Sequence, residues 1–200
     1  VIDAEIDRRT GNGAAPGEDG DDVLTELLAA RDEDGVGLTR AELRDQIVSL
    51  IAAGYDTTSA AFAWAIDRLL REPGVLAGLR AELDAVVGDA PLTYEHLRSL
   101  RYLHGVVQET LRLDPPGVVA PRTVLRDLEF RGHRIPAGTM VLYSAYLTGR
   151  DPRVWRDPEA FRPGRWIDGD PDREDPGPAA SVAFGGGPRR CLGLVLATTE

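Results

Sequence analysis

The sequence predicts a mainly α-helical fold with a small β part, and three features of the chain lead to this prediction. Residues 39–70 are apolar on nearly every face of a helix, which is typical of a long helix buried at the centre of a protein. Residues 118–146 contain extended and alternating segments between turn residues, which favours a small antiparallel sheet. Residues 150–180 have no helical or strand period, so we expect a packed irregular meander there.

Shorter helices are predicted from apolar periodicity and cap residues, over residues 1–10, 23–31, 73–87, 93–100 and 102–113. The long helix begins at a capping box, in which Thr39 and Glu42 each bond the backbone of the other. Pro73 suits the first position of a helix, and Pro115 cannot continue the helix that precedes it. Residues 11–22 are acidic and glycine-rich, which predicts a solvated loop.

Composition and charge exclude several classes of function. Of the 200 residues, 42% are hydrophobic and 28% are charged, and the net charge of -10 argues against a nucleic-acid surface. A single cysteine excludes an internal disulfide and is typical of a reducing compartment, so we expect a cytoplasmic protein. Polar residues interrupt the longest apolar run, residues 48–65, so we expect no membrane segment in this chain. The chain begins with Val1 and stops early in a helical pattern, so we expect a piece of a longer protein.

The middle of the long helix breaks the local rules for a buried helix. Gly54 costs about 1 kcal/mol relative to alanine in a helix interior, and Asp56 and Thr57 are poor helix formers. The Thr57 hydroxyl can turn toward the carbonyl of Ala53, and Gly54 would ease a local bulge. Such violations in an apolar helix indicate a functional notch. A simple kink with a solvated aspartate is the alternative.

The only cysteine, Cys191, lies in the glycine-rich loop FGGGPRRCLG at residues 184–193, just ahead of an apolar helical pattern. Backbone N–H groups and a helix N-terminus both favour the thiolate form. Glycines let the backbone approach a flat ligand, and Arg189 and Arg190 can pair with carboxylates on it. The chemistry indicated is a thiolate ligand to the iron of a haem. An inert thiol is the alternative for a lone cysteine.

Four stretches of the chain resemble, in order, the motifs of the cytochrome P450 family: AGYDTT, ETLR, FRPGRW and FGGGPRRCLG. The last one carries the haem-thiolate string F-x-x-G-x-R-x-C-x-G at Phe184, Gly187, Arg189, Cys191 and Gly193. The resemblance implies the C-terminal half of a bacterial-type cytochrome P450, with haem b held by Cys191 as the axial ligand of its iron. The first motif ends in Asp56 and Thr57, which in that family steer protons to iron-bound dioxygen.

The resemblance also implies cofactor and pocket contacts. Arg189 and Arg122 would pair with the haem propionates, Phe184 would shield the sulfur, and Ala53 and Gly54 would border the cofactor. An ordinary surface arginine is the alternative for Arg122. The substrate pocket is expected to be lined by Ser49, Ala52, Ala53, Val118 and Val119.

A structural cluster is implied by the second and third motifs. Glu109 and Arg112 are three residues apart and share a helix face, and in the family such a pair is joined by a later arginine, here Arg165. The chain departs from the family string F-x-P-E-R, because Gly164 stands where the string has glutamate. We therefore expect a hydrogen bond of that glutamate to be missing.

The expected function is that of a haem-thiolate monooxygenase that inserts one atom of O2 into a small hydrophobic organic substrate. No flavin or nicotinamide motif is found in this sequence, so electrons from NAD(P)H are expected to arrive through a ferredoxin or a similar partner. The chain by itself is expected to be inactive.

Three other functions stay open. The first is a haem-thiolate protein that uses peroxide or acts as an isomerase. The second is a non-enzyme, such as a truncated fragment that does not hold haem. A cysteine hydrolase requires a placed histidine, and His96, His104 and His133 lie in no recognisable motif.

Overall fold

The computed structural model describes residues 1–11, 22–175, 177 and 182–199. The predicted acidic loop at residues 11–22 therefore falls largely outside the described residues. The described helices are α1 Ile2–Gly11, α2 Val23–Ala29, α3 Arg40–Arg71, α4 Pro73–Val86, α5 Tyr94–Leu97, α6 Arg101–Leu113, α7 Ala145–Gly149 and α8 Leu194–Thr199. The described strands are β1 Val119–Thr123, β2 Leu128–Phe130, β3 His133–Ile135 and β4 Met140–Ser144. None of the described helices is long and apolar enough to cross a membrane.

The chain divides into two compact units, Val1–Asp56 and Thr57–Glu200, with the boundary inside α3. The first unit has a small core of Ile6, Leu24 and Leu43, contributed by α1, α2 and α3. The predicted capping box at the start of α3 is confirmed. The Thr39 N–H donates to the Glu42 carboxylate at 2.8 Å, and the Glu42 N–H donates to the Thr39 hydroxyl at 3.3 Å.

Helix α3 runs for 32 residues without a break in its α-helical geometry. The predicted local bulge at Gly54 is therefore wrong, because a single glycine costs only about 1 kcal/mol and a helix of this length can carry it. Only Leu43 of α3 is buried within this chain. The large apolar residues of α3 with exposed side chains are Val48, Ile51, Tyr55, Phe62, Trp64, Ile66 and Leu70.

Helix α6 is the centre of the second unit. Its residues Val106 and Leu113 form a core with Phe161 of the later meander. The Glu82 carboxylate of α4 accepts the N–H groups of Tyr102 and Leu103 at 2.6 and 2.9 Å, which satisfies two free donors at the start of α6. These contacts fix α6 between α4 and the meander.

In the described part of the chain, the strands form two separate antiparallel pairs in place of the single predicted sheet. Strand β1 pairs with β4, and β2 pairs with β3. The β2–β3 connection is a two-residue turn, Arg131 and Gly132, with φ of 50° and 78°. Such turns close tight hairpins, so the backbone N–H and C=O groups of β2 and β3 form hydrogen bonds with each other. Strand β1 is then left to pair with β4.

Candidate functional site

The loop at residues 182–193, which we call the cysteine loop, presents Cys191. The Cys191 N–H donates to the Phe184 carbonyl at 2.9 Å and closes the loop. Gly185 and Gly187 have φ of 68° and 62°, a left-handed conformation that favours glycine. The Cys191 thiol is exposed, and α8 begins three residues later at Leu194. The cysteine is therefore accessible to a ligand on a short, closed loop.

Tyr143 joins the cysteine loop to Arg122. The Arg122 guanidinium carbon lies 5.4 Å from the centroid of the Tyr143 ring, and a Cβ atom on Gly185 would lie 3.2 Å from the Tyr143 hydroxyl oxygen. Arg122 is paired with Val141 across the β1–β4 ladder, and Tyr143 is two residues further along β4. Residues two apart on a strand share a face, so Tyr143 is the diagonal neighbour of Arg122. Tyr143 was not predicted from the sequence, because only this strand register places it beside Arg122 and the cysteine loop.

Arg122 and Arg189 are exposed cations. Neither forms a salt bridge with any residue that the structure describes, and Arg122 Nη1 donates to the Pro121 carbonyl at 2.8 Å. Both guanidinium groups keep donors available to an anionic ligand.

The predicted residues of α3 lie on its exposed surface. Ser49, Ala52 and Asp56 belong to the first unit, and Thr57 belongs to the second. The Ser49 hydroxyl donates to the Asp45 carbonyl at 2.7 Å. A Cβ placed on Gly54 meets no atom within 4 Å among the described residues, apart from its chain neighbours and the adjacent helix backbone. The predicted roles of these residues, and those of Ala53, Val118 and Val119, stay predictions.

Glu109 is fully buried and accepts five hydrogen bonds. Arg112 donates two through Nε and Nη2, both at 2.8 Å. Arg165 Nε donates at 3.1 Å, the Trp166 indole N–H at 2.9 Å and the Arg162 backbone N–H at 2.9 Å. The structure thus brings together the three residues predicted for the cluster and adds Trp166. This carboxylate ties α6 to the meander.

Arg112 uses its remaining donors on backbone carbonyls. Nη1 donates to Pro158 at 2.7 Å and also to Gly149 at the end of α7, and Nη2 donates to Ala160 at 3.0 Å. The guanidinium also lies over the Trp155 ring, 5.2 Å from its centroid. A fully paired buried cation of this kind locks the surrounding backbone, because any displacement leaves a charge without a partner.

Comparison with known proteins identifies the family. A family model described as Cytochrome P450 matches residues 3–200, so the chain belongs to the cytochrome P450 family. Haem and iron binding and oxidoreductase chemistry are properties of this family.

The names of curated relatives are consistent with this family. "Putative cytochrome P450 139" of Mycobacterium tuberculosis is 49% identical over 201 residues, covering 100% of this chain and 46% of the relative. "Cyclooctat-9-en-7-ol 5-monooxygenase" of Streptomyces melanosporofaciens is 39% identical over 200 residues, covering 100% of this chain and 42% of the relative. "Pentalenene oxygenase" of Streptomyces avermitilis is 36% identical, covering 90% of this chain and 40% of the relative. The chain spans less than half the length of these relatives.

Solved structures confirm the predicted fold class. A "Retinoic acid bound cyanobacterial CYP120A1" matches with a TM-score of 0.86 and 34% identity, covering 99% of this chain and 45% of that chain. A "cytochrome P450DA heme domain" matches with a TM-score of 0.86 and 33% identity, covering 99% of this chain and 43% of that chain. The chain therefore represents part of the cytochrome P450 fold.

Proposed function

We propose that the complete protein is a haem-thiolate monooxygenase that inserts one atom of O2 into a small hydrophobic organic substrate. The observation that carries the proposal is the exposed Cys191 on a closed, glycine-rich loop in a chain of this family. The names of two relatives, a monooxygenase and an oxygenase, support the reaction class.

The residues of the cysteine loop fit haem b. The exposed Cys191 sulfur would bind the haem iron, and the half-buried Phe184 would shield it from water. The absence of Cβ atoms at Gly187 and Gly193 would leave room for a flat macrocycle. When bound, the haem would supply the activation of dioxygen.

Two exposed arginines would hold the anionic edge of the cofactor. Arg122 and Arg189 form no salt bridge with the described part of the chain, and a haem brings two carboxylates that need cationic partners. Tyr143 would keep the Arg122 side chain beside the cysteine loop through its ring and hydroxyl. The cluster of Glu109, Arg112 and Arg165 would have a structural role.

Residues of α3 would supply protons and shape the pocket. The Asp56 carboxylate and the Thr57 hydroxyl would deliver protons, because a carboxyl group and a hydroxyl group can each accept and donate a proton. Ala53 and Gly54 would border the cofactor. Small side chains at Ser49 and Ala52, with Val118 and Val119, would leave room for a substrate.

Electrons would come from NAD(P)H through a partner such as a ferredoxin, in the cytoplasm. The exposed Arg190 beside the cysteine loop supports this, since a cationic surface favours an acidic protein partner. The 200-residue chain alone would be inactive, because it spans less than half of its relatives and α3 exposes large apolar side chains.

The ferrous carbon monoxide difference spectrum of the full-length protein tests the proposal. We expect a strongly red-shifted Soret band, and we expect Cys191→Ala to abolish it while Arg190→Ala, on the same loop, retains it. A Soret band at the ordinary haem-protein position in the unmodified protein would contradict thiolate ligation and the monooxygenase mechanism with it.

A further inference from the structure

Gly164 stands beside Arg165 of the buried cluster and carries no side chain. The family string that this segment resembles has glutamate at this position. A Cβ atom on Gly164 would lie 2.5 Å from Oδ1 of Asp170 and 2.8 Å from its Cγ, which is closer than non-bonded atoms approach. The Asp170 side chain occupies this space because its Oδ1 accepts the Asp172 N–H at 2.8 Å. There is therefore no room for a side chain at residue 164 while the Asp170 side chain occupies this position.

The loop that follows Asp170 brings the carboxylate of Glu174 to the cluster. The Glu174 N–H donates to the Arg165 carbonyl at 3.1 Å, and Arg173 Nη1 donates to the same carbonyl at 3.2 Å. These bonds place the Glu174 carboxylate against Nη1 of Arg165, with which it forms an ion pair. The Glu174 side chain is only 10% exposed, and that of Arg165 is fully buried.

Arg165 is held between two carboxylates and one carbonyl. Its Nε donates to Glu109 at 3.1 Å, its Nη1 donates to Glu174, and its Nη2 donates to the Asp157 carbonyl at 2.8 Å. Each nitrogen of the planar guanidinium thus has an acceptor, which sets the orientation of the side chain.

The charge balance of the cluster also requires Glu174. Arg112 and Arg165 bring two buried positive charges, and Glu109 alone brings one negative charge. Glu174 supplies the second negative charge, and its Oε1 also lies 3.5 Å from Nε of the exposed Arg156. A buried cation without a compensating anion is strongly destabilising, so the cluster needs this carboxylate.

We propose that Glu174 is the second carboxylate of the buried cluster and takes the place of the glutamate that Gly164 lacks. It is a positioning residue. Its carboxylate holds Arg165, Arg165 in turn holds Glu109, and Glu109 joins α6 to the meander. This inference concerns the chain's own packing and stands apart from the proposed monooxygenase activity.

The test measures denaturant unfolding and one NMR signal of the full-length protein. Glu174→Gln should raise the unfolding equilibrium constant at least about tenfold, which corresponds to about 1.4 kcal/mol. It should also shift the Trp166 indole N–H resonance, assigned with Trp166→Phe, because that N–H donates to Glu109 at 2.9 Å. Glu174→Asp, which keeps the charge, should recover part of both effects.

A matched control is Glu159→Gln, since the Glu159 side chain is 72% exposed and lies 3.3 Å from Arg150. It should change the unfolding constant less than about threefold and leave the Trp166 signal in place. Equal effects of Glu174→Gln and Glu159→Gln would overturn the proposal.

Moving the carboxylate back to residue 164 tests the replacement itself. Asp170→Gly/Glu174→Gln opens the space beside Gly164 and removes both acidic groups. Adding Gly164→Glu to this double variant should recover stability and return the Trp166 resonance toward its original position. No recovery relative to the double variant would show that Glu174 does not replace the missing glutamate.

Discussion

Arg68 of α3 and Asp114, the residue after α6, form two parallel hydrogen bonds. Arg68 Nε lies 2.7 Å from Oδ2 of Asp114, and Nη2 lies 3.0 Å from Oδ1. Asp114 is only 8% exposed, and its hydrogen bonds raise the pKa of Arg68 above the ordinary value. Arg150 adds a second cation at 3.5 Å. Asp114 therefore connects the last turns of α3 to the end of α6.

Asp114→Asn should lower the free energy of unfolding by about 2 kcal/mol, because it removes charge-assisted bonds from a nearly buried group. Urea denaturation measures this as a lower midpoint with an unchanged slope. Asp67→Asn is the matched control, since Asp67 pairs with Arg71 at 2.8 Å on an exposed part of the same helix. Its effect should stay below about 0.5 kcal/mol. Equal effects of the two variants would contradict the structural role of Asp114.

Gly105→Ala should destabilise the protein by about 1–3 kcal/mol through overpacking. A Cβ atom on Gly105 of α6 would lie 2.6 Å from the Pro163 carbonyl oxygen, and that oxygen belongs to backbone that cannot swing away. Gly74→Ala in α4 meets no atom within 4 Å and should change stability by less than about 0.5 kcal/mol. Thermal unfolding of both variants checks this, and a tolerated Gly105→Ala would mean that α6 and the meander pack less tightly than described.

Thr57→Ala in the full-length enzyme should divert reducing equivalents from product to peroxide. The reason is that the proposed relay loses the hydroxyl that passes protons onward, while substrate binding is unaffected. The measurement is the peroxide formed and the product formed per NAD(P)H consumed. Thr58→Ala, one position along the helix, is the control, and in this variant NAD(P)H consumption should stay coupled to product formation. Tight coupling in Thr57→Ala would refute the proton-delivery role.

The first unit should lose stability as the pH falls below about 4.5. Hydrogen bonds from Arg8 and then Arg9 lower the pKa of Glu5 from 4.5 to about 2. A carboxyl group with a lowered pKa in the folded state contributes stability above its ordinary pKa and loses it as the pH falls toward the folded value. The sign is therefore a loss between pH 4.5 and about 2.

A carboxyl carbon NMR titration measures this pKa directly. Arg8→Ala should return the pKa of Glu5 toward its ordinary value of 4.5. Arg40→Ala removes the pairs with Asp3 and Asp7 and should leave Glu5 unchanged. A Glu5 titration near 4.5 in the unmodified protein would show that these arginine contacts do not persist in solution.

Helix positions were predictable because they depend on local signals. The capping box at Thr39 and the proline at Pro73 mark helix starts that the structure places within one residue of the predicted bounds. The predicted bulge at Gly54 was wrong, since local propensity overstates the cost of one glycine in a long helix. The division of the β part into two pairs depended on the Arg131–Gly132 turn.

The sequence by itself determined the family, the helical fold class and the string around Cys191, because closely spaced residue types carry these signals. It also indicated Glu109, Arg112 and Arg165. Only the tertiary structure decided which atoms meet. Strand register places Tyr143 between Arg122 and the cysteine loop, and a returning loop brings Glu174 to Arg165. Such contacts join segments whose spacing along the chain follows no period, so packing and charge balance in the folded state select them.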